Sequence, residues 1–304
     1  MKQLISPVSL VLVVAALLLC SFPARAVTFT SDTAIGFNDT NYDGAEIVVT
    51  NCTLTVDGPH SFASLQVLGG ANLTHTFAAS GWLENQRTIT NEPQVLSTTN
   101  AAVLLNANAV VSTIVVQDLA GLVTYTNDVD YLLGQDTNGL TTLLLTTNSA
   151  IVEGSTNLVS YDVLDTPVAA GLRLTVTGDV FVAPGGTVNA DGKGYGGGAG
   201  PGAGRAAGNP LSGSGAGHGG YGGQSATLDG VGTSYDSIQQ PVSLGSGGGS
   251  GYGGVGGTGG GSVVLVVGGN LRVDGSVSAN GANGINNRTG GGAGGSIWLT
   301  CQNL

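Results

Sequence analysis

A short acidic loop near the start of the chain has the side-chain spacing of a calcium site. Residues 39–44 read Asp-Thr-Asn-Tyr-Asp-Gly, so Asp39, Asn41 and Asp43 place three oxygen ligands on one tight turn, as a hard cation requires. The twelfth position of an EF-hand loop needs a bidentate Glu, and here it is Thr50. Two interpretations stay open: a calcium loop of another geometry, or an Asx-rich turn, which the sequence favours. No other cofactor is predicted.

Few side chains have the types and spacing that polysaccharide cleavage requires. A hydrolase needs two carboxylates about 5 to 9 Å apart, and Asp57 and Asp274 could supply them from adjacent coils of a repeat. Both occupy the turn of that repeat, where a structural role is enough. A lyase needs a basic side chain beside carboxylates. After residue 26 the basic residues, none of them beside an acidic cluster in sequence, are Lys193, Arg87, Arg173, Arg205, Arg272 and Arg288. We therefore expect no enzyme activity.

The three histidines do not belong to a recognisable catalytic motif. They are His60, His75 and His218, and no Gly-x-Ser-x-Gly elbow precedes a helical segment. His60 follows a Gly-Pro turn and His75 ends an apolar run, so both are predicted to be ordinary surface or edge residues. Catalytic residues are therefore not assigned.

The first 26 residues have the three parts of a signal peptide. Lys2 gives a basic start, residues 10–19 an apolar stretch, and Ala24-Arg25-Ala26 a small-x-small cleavage site. Cys20 raises a lipoprotein alternative, but Leu19 is large where a lipobox has a small residue. No later segment holds about 18 uninterrupted apolar residues. The sequence thus predicts export, cleavage after Ala26, and a secreted or cell-surface protein without a transmembrane segment in its mature chain.

The mature chain is strongly acidic. Cleavage removes Lys2 and Arg25, which leaves six cations against 19 carboxylates and a formal net charge of −13. Such a surface repels nucleic acid and anionic lipid, so no nucleic-acid partner is expected. Cys52 and Cys301 remain. They could pair after export, but each lies in a strand-like run, and two separate thiols are the favoured interpretation.

One phrase recurs along the chain and predicts the architecture. Residues 48–58, 175–182 and 266–275 each hold an apolar run, a polar corner and a second alternating run, and residues 187–192 resemble 276–281. Thr and Val favour strands, whereas Gly and Asn favour turns. A unit too small to bury its own apolar face must stack on its neighbours, which predicts an all-β solenoid. In that solenoid Leu271 points inward and Arg272 outward.

Two insertions interrupt the repeat. Coils are predicted at residues 27–87 and 166–304, separated by residues 88–165, where longer alternating strands indicate an antiparallel sandwich. Residues 192–261 are glycine-rich, in a chain with 54 glycines. They could form a disordered insertion or packed extended polyglycine, and the sequence does not decide. Residues 295–304 realign with 261–271, so the chain is predicted to stop in mid-repeat as a fragment of a longer protein.

These phrases resemble those of known protein families. Leu-Arg-Val-Asp-Gly at 271–275, Val-Ser-Ala-Asn-Gly at 277–281 and Gly-Gly-Ala-Gly-Gly-Ser-Ile at 291–297 resemble secreted bacterial proteins with a right-handed parallel β-helix, of the adhesin and autotransporter-passenger type. The insertion resembles bacterial immunoglobulin-like modules through Val116, Asp118, Gly121, Thr124, Tyr125, Asp130, Tyr131, Val159, Ser160 and Tyr161.

The resemblance implies a structural or adhesive rod that meets extracellular glycans, matrix or a neighbouring cell surface. No family active site can be transferred, because no catalytic motif matches. Two alternatives stay open: a β-helix polysaccharide lyase or glycoside hydrolase, and a glycan-binding module without catalysis.

Overall fold

The computed structural model describes residues 25–206, 212–225 and 230–304. The predicted signal peptide lies outside these residues except for Arg25 and Ala26. The fold is all-β, as predicted, and combines parallel with antiparallel sheets. Two short 3-10 turns, Thr40–Tyr42 and Val111–Thr113, are its helical elements among the described residues.

Strands β1 to β7 form the first part of the chain. They are β1 (Ala26–Phe29), β2 (Thr33–Ile35), β3 (Glu46–Val49), β4 (Thr53–Val56), β5 (Gly58–Phe62), β6 (Ser64–Val67) and β7 (Asn72–Thr74). An inserted module follows, with β8 (Trp82–Val95), β9 (Ala102–Val103), β10 (Val115–Gln117), β11 (Thr124–Tyr125), β12 (Tyr131–Gln135), β13 (Thr141–Leu145) and β14 (Thr156–Ala169). The last part holds β15 (Leu172–Val176), β16 (Val180–Val182), β17 (Thr187–Asn189), β18 (Ser262–Val267), β19 (Leu271–Val273), β20 (Ser276–Ser278) and β21 (Ser296–Thr300).

The first and last parts build three parallel sheets, here called the parallel stack. Sheet A has the order β1-β3-β6-β16-β19, sheet B β2-β4-β7-β17-β20, and sheet C β5-β15-β18-β21. From β3 onward the chain visits A, B and C in rotation, so each circuit lies on the one before it. In the first circuit the 3-10 turn Thr40–Tyr42 stands where a strand of sheet C would be.

Columns of apolar side chains fill the interior of the stack. Ile47, Leu65, Val180 and Leu271 occupy matching positions on successive strands of sheet A, and each is almost fully buried. Each such side chain contributes about 1.5 to 3 kcal/mol on full burial. Arg272 lies on the outer face, with its side chain 72% exposed. The predicted inward and outward directions at Leu271 and Arg272 are therefore confirmed.

The alignment of the repeated phrases is correct for two copies and wrong for the third. Val176 pairs with Val267 and Val180 with Leu271, so residues 175–182 and 266–273 are stacked equivalents that cross from sheet C to sheet A. Residues 48–56 instead cross from sheet A to sheet B. The three sides of the stack need the same short strand and polar corner, so the phrase alone does not reveal which side it occupies.

The inserted module has two antiparallel sheets and its own apolar core. One sheet has the order β11-β10-β14-β8 and the other β12-β13-β9. Side chains from both sheets meet in one buried cluster: Leu96, Leu104, Val116, Tyr131, Leu143, Leu145, Ile151, Val159, Tyr161 and Val163. The fourteen-residue strands β8 and β14 pair from Trp82–Ala169, beside the stack, to Val95–Thr156 at the other end.

The described glycine-rich segments are packed rather than loose. We call residues 192–206, 212–225, 230–261 and 279–295 the glycine block. Its backbones lie so close that a Cβ on Gly247 would overlap the carbonyl of Gly196, and one on Gly256 that of Gly248. Interstrand amide-to-carbonyl bonds include Gly194 to Gly259, Gly248 to Gly257, Gly249 to Ser214 and Gly257 to Gly290. Of the two interpretations left open by the sequence, the structure has the packed one.

Cys52 and Cys301 are free thiols. Cys52 is buried with its Sγ 3.4 Å from the carbonyl of Phe29, and Cys301 is half-buried beside the last strand. The favoured interpretation of separate thiols is confirmed.

Candidate functional site

An open cavity of about 890 Å3 lies in the glycine block. Its walls are residues 216–221, residues 234–241, and residues 293–297 at the start of β21. Ser296 is placed by the pairing of β21 with β18, where it lies opposite Ser262. The stack thus holds one wall of the cavity, and two loops of the glycine block, residues 216–221 and 234–241, supply the others.

Asp236 anchors the floor of this cavity. Its backbone has φ +73°, a left-handed conformation that Asp and Asn tolerate better than most residues. Its Oδ2 accepts hydrogen bonds from the amides of Val242 (2.9 Å) and Ser243 (2.8 Å) and from the hydroxyl of Ser296 (3.2 Å). Burial alone would raise the pKa of Asp236, but these bonds and the amide of Ser237 outweigh it, so the pKa lies below its usual value.

His218 lies beside this carboxylate. Its Nδ1 is 2.9 Å from the carbonyl oxygen of Gly294, and a carbonyl only accepts, so Nδ1 carries a hydrogen. Nε2 is 3.4 Å from Oδ2 of Asp236 and has no hydrogen-bond partner among the described residues. This contact places the imidazole ring against the buried carboxylate at the floor of the cavity.

Two tyrosines of the cavity differ in role. The ring of Tyr235 packs 4.6 Å from that of His218, and its hydroxyl donates to the carbonyl of Leu244 and accepts from Ser246 Oγ. Burial, the largest influence, raises the pKa of Tyr235 to about 12, so this phenol stays neutral and structural. Tyr221 is 75% exposed at the rim. A face of its ring is therefore accessible to a ligand.

This site was not predicted from the sequence. The glycine-rich tract was interpreted from its composition alone, and no role was assigned to His218, Tyr235 or Asp236. The signal available in the sequence was that His218 interrupts a tract of small residues and that Tyr235 and Asp236, next to each other, interrupt it again. Their meeting depends on how the glycine segments pack, which has no periodic signature.

The proposed calcium ligands lie at the turn that closes the first circuit of the stack. Asp39 Oδ1 accepts from the amide (3.1 Å) and side chain (2.8 Å) of Asn41. Asp43 Oδ1 lies 3.1 Å from His60 Nδ1 and accepts from the amide of Ser61 at 3.2 Å. In the part of the chain that the structure describes, no group of three or more His, Cys, Asp or Glu is placed to hold a metal. Calcium binding at Asp39, Asn41 and Asp43 stays a prediction.

The prediction that His60 and His75 are ordinary surface or edge residues is wrong about the surface, although His60 does lie in β5, the edge strand of sheet C. His60 is 4% exposed and His75 fully buried. His75 packs against Gly261, where the glycine block returns to the stack, and its Nδ1 is 2.9 Å from the carbonyl of Thr76. Burial lowers the pKa of His75, although this carbonyl and Asp57 oppose the shift. For His75, the error arises because a side chain that follows a strand can still turn inward, where the glycine block packs on it. His60 instead occupies an inward-facing position of β5, whose burial alternates along the strand.

The suggested carboxylate pair is also wrong. Asp57 lies between β4 and β5 and accepts from the amide (2.8 Å) and hydroxyl (2.6 Å) of Thr76. Asp274 lies between β19 and β20 and binds the guanidinium of Arg272 at 2.7 Å. Strands β4 and β20 are three positions apart in sheet B, about 14 Å at the usual strand spacing. The cause is the wrong alignment of residues 48–58 with residues 266–275, which put both aspartates at the same corner of the repeat.

Among the described residues, no helix is long and apolar enough to cross a bilayer. Comparison with protein-family models, with curated proteins and with solved structures gave no match for this chain.

Proposed function

We propose that this chain is an exported, non-enzymatic adhesive protein of the extracellular surface. In this proposal the parallel stack is a right-handed β-helical rod, and the module is an immunoglobulin-like sandwich that contacts a partner in the matrix or on a neighbouring cell. The three parts of a signal peptide and the acidic mature chain support export.

The observation that carries this proposal is the apolar outer end of the module. Strand β8 leaves the stack at Trp82 and ends at Val95, which is about 40 Å of strand. The loop after β10 continues beyond this end, because Gln117 pairs with Leu158 near the start of β14. Here Leu119 is 66% and Leu122 85% exposed. Exposed apolar groups that cluster at the tip of a projecting element are typical of a contact surface.

The loop that bears these leucines is fixed in shape. Asp118 Oδ1 accepts hydrogen bonds from the amides of Leu122 (2.7 Å) and Val123 (2.9 Å). Gly121 has φ +69°, which lets the loop turn without strain. A preformed loop loses little conformational entropy when it binds, so its exposed side chains are suited to recognition.

Charge narrows the kind of partner. Residues 82–169 contain nine carboxylates and one cation, Arg87, which already pairs with Asp165. An apolar tip on an acidic module complements a protein surface with an apolar centre and a rim of Lys and Arg. A second copy of this acidic module would be repelled.

Adhesion of beads coated with the protein to a layer of matrix proteins tests the proposal. We expect Leu119→Ser with Leu122→Ser to reduce bead retention at least tenfold. The control pair, Val255→Ser with Ile285→Ser, changes two apolar side chains of the glycine block that are 55% and 64% exposed, and should retain binding. Equal retention by both double variants would refute the contact surface.

The same protein should be screened for turnover of uronate and neutral polysaccharides. We expect no products. Cleavage that one carboxylate substitution abolishes would favour the enzyme alternative instead.

A further inference from the structure

We propose that the cavity of the glycine block binds an uncharged saccharide. This deepens the proposed function and rests on it only for the extracellular setting, because the cavity is distinct from the apolar end of the module.

Anionic ligands do not fit the lining. Among the described residues that line the cavity there is no lysine or arginine, and Asp236 is held as a carboxylate. Arg173 interacts with the charge of Asp236 but does not line the cavity, and its Nη2 donates to the carbonyl of Val242 at 3.2 Å. A phosphate or uronate would therefore meet the carboxylate of Asp236 with no lysine or arginine in the described lining to bind it.

Cationic ligands gain little from Asp236. Its Oδ2 already accepts from two amides and a hydroxyl and lies beside His218, and its Oδ1 accepts from the amide of Ser237. The side chain is only 9% exposed. Its charge is thus used within the protein, and a neutral ligand remains.

The exposed part of the cavity combines apolar faces with small polar groups. Tyr221 and Ile238, 75% and 94% exposed, stand on the two loops of the glycine block that line the cavity. The lining also includes the exposed residues Ser234 and Ser237 and the exposed glycines Gly219 and Gly220, whose backbone no side chain covers. A sugar ring matches this arrangement, because it has a C–H face that packs on an aromatic ring and an edge of hydroxyls.

Titration calorimetry of the whole protein with uncharged tetrasaccharides of glucose, mannose and N-acetylglucosamine tests the inference. We expect at least one to bind, and Tyr221→Ala to weaken binding at least tenfold. Tyr252→Ala is the matched control, since Tyr252 is a 59% exposed tyrosine of the glycine block outside the cavity. It should bind as the wild type does.

Three results would overturn the inference: no binding at millimolar sugar, equal affinities of the two tyrosine variants, or equally tight binding of an oligogalacturonate. The variant Leu119→Ser with Leu122→Ser should bind sugar normally. Loss of matrix adhesion with retained sugar binding, or the reverse, therefore separates failure of this site from failure of the proposed function.

Discussion

The Nε2 atom of His218 lies 3.4 Å from Oδ2 of Asp236, and this contact joins two loops of the glycine block. His218 also holds the carbonyl of Gly294, and Asp236 binds the amides of Val242 and Ser243 and the hydroxyl of Ser296. These two residues thus connect both loops to the segment that leads into β21, the last strand of the stack.

Substitution of either partner should loosen the glycine block. We expect His218→Gln and Asp236→Asn each to lower the free energy of unfolding by about 1 to 3 kcal/mol, because each leaves buried polar groups unpaired. The double variant should lose about 1 kcal/mol less than the sum of the two. Denaturant unfolding measures all three values. Asp128→Asn is the control, since Asp128 shares the left-handed backbone of Asp236 but is exposed. Strictly additive losses would contradict the coupling.

His75 should make the protein less stable in mild acid. Burial lowers its pKa in the folded state, so the unfolded chain binds more protons once the pH falls below the unfolded value of about 6.5. The contribution of the neutral His75 to the free energy of unfolding should therefore be fully present above that pH. Below it, this contribution should decrease by at most about 1.4 kcal/mol per pH unit.

Urea unfolding of the wild type and His75→Gln between pH 5 and 8 measures this contribution. The other histidines are common to both proteins and cancel in the difference. We expect the variant to depend less on pH than the wild type. The same slope in both would show that His75 does not titrate on unfolding.

Which side chains of a strand point inward could be predicted from the sequence, because the alternation of apolar and polar residues is a local property. Leu271 and Arg272 are neighbours with opposite environments, one buried and the other exposed, and a two-residue period is enough to assign them. The sheet to which residues 48–56 belong could not be predicted, since strands of all three sheets need the same short apolar run and polar corner. The burial of His75 and the meeting of His218 with Asp236 depend on long-range packing of glycine segments, which leaves no periodic signal.

Substitutions at Leu271 and Arg272 should differ sharply. Leu271→Asp places a charge in the apolar column beneath Val180 and should cost several kcal/mol. Arg272→Ala removes an exposed ion pair with Asp274 and a guanidinium 5.5 Å from the ring centre of Phe181, and it should change stability little because solvent screens such exposed contacts. Melting temperatures compare the two variants. Equal values would contradict the assignment of inner and outer faces.

Alanine at two glycines should distinguish a packed glycine block from a loose one. A Cβ at Gly256 would overlap the carbonyl of Gly248, whereas one at Gly223 would meet nothing within 4 Å. We expect Gly256→Ala to destabilise the protein by about 1 to 3 kcal/mol through overpacking. Gly223→Ala should be neutral or slightly stabilising, because alanine restricts the unfolded chain. Hydrogen exchange at the amide of Gly248, which is bonded to Gly257, gives a local readout and should quicken only in Gly256→Ala. A loose block would tolerate both substitutions alike, since the backbones could move apart.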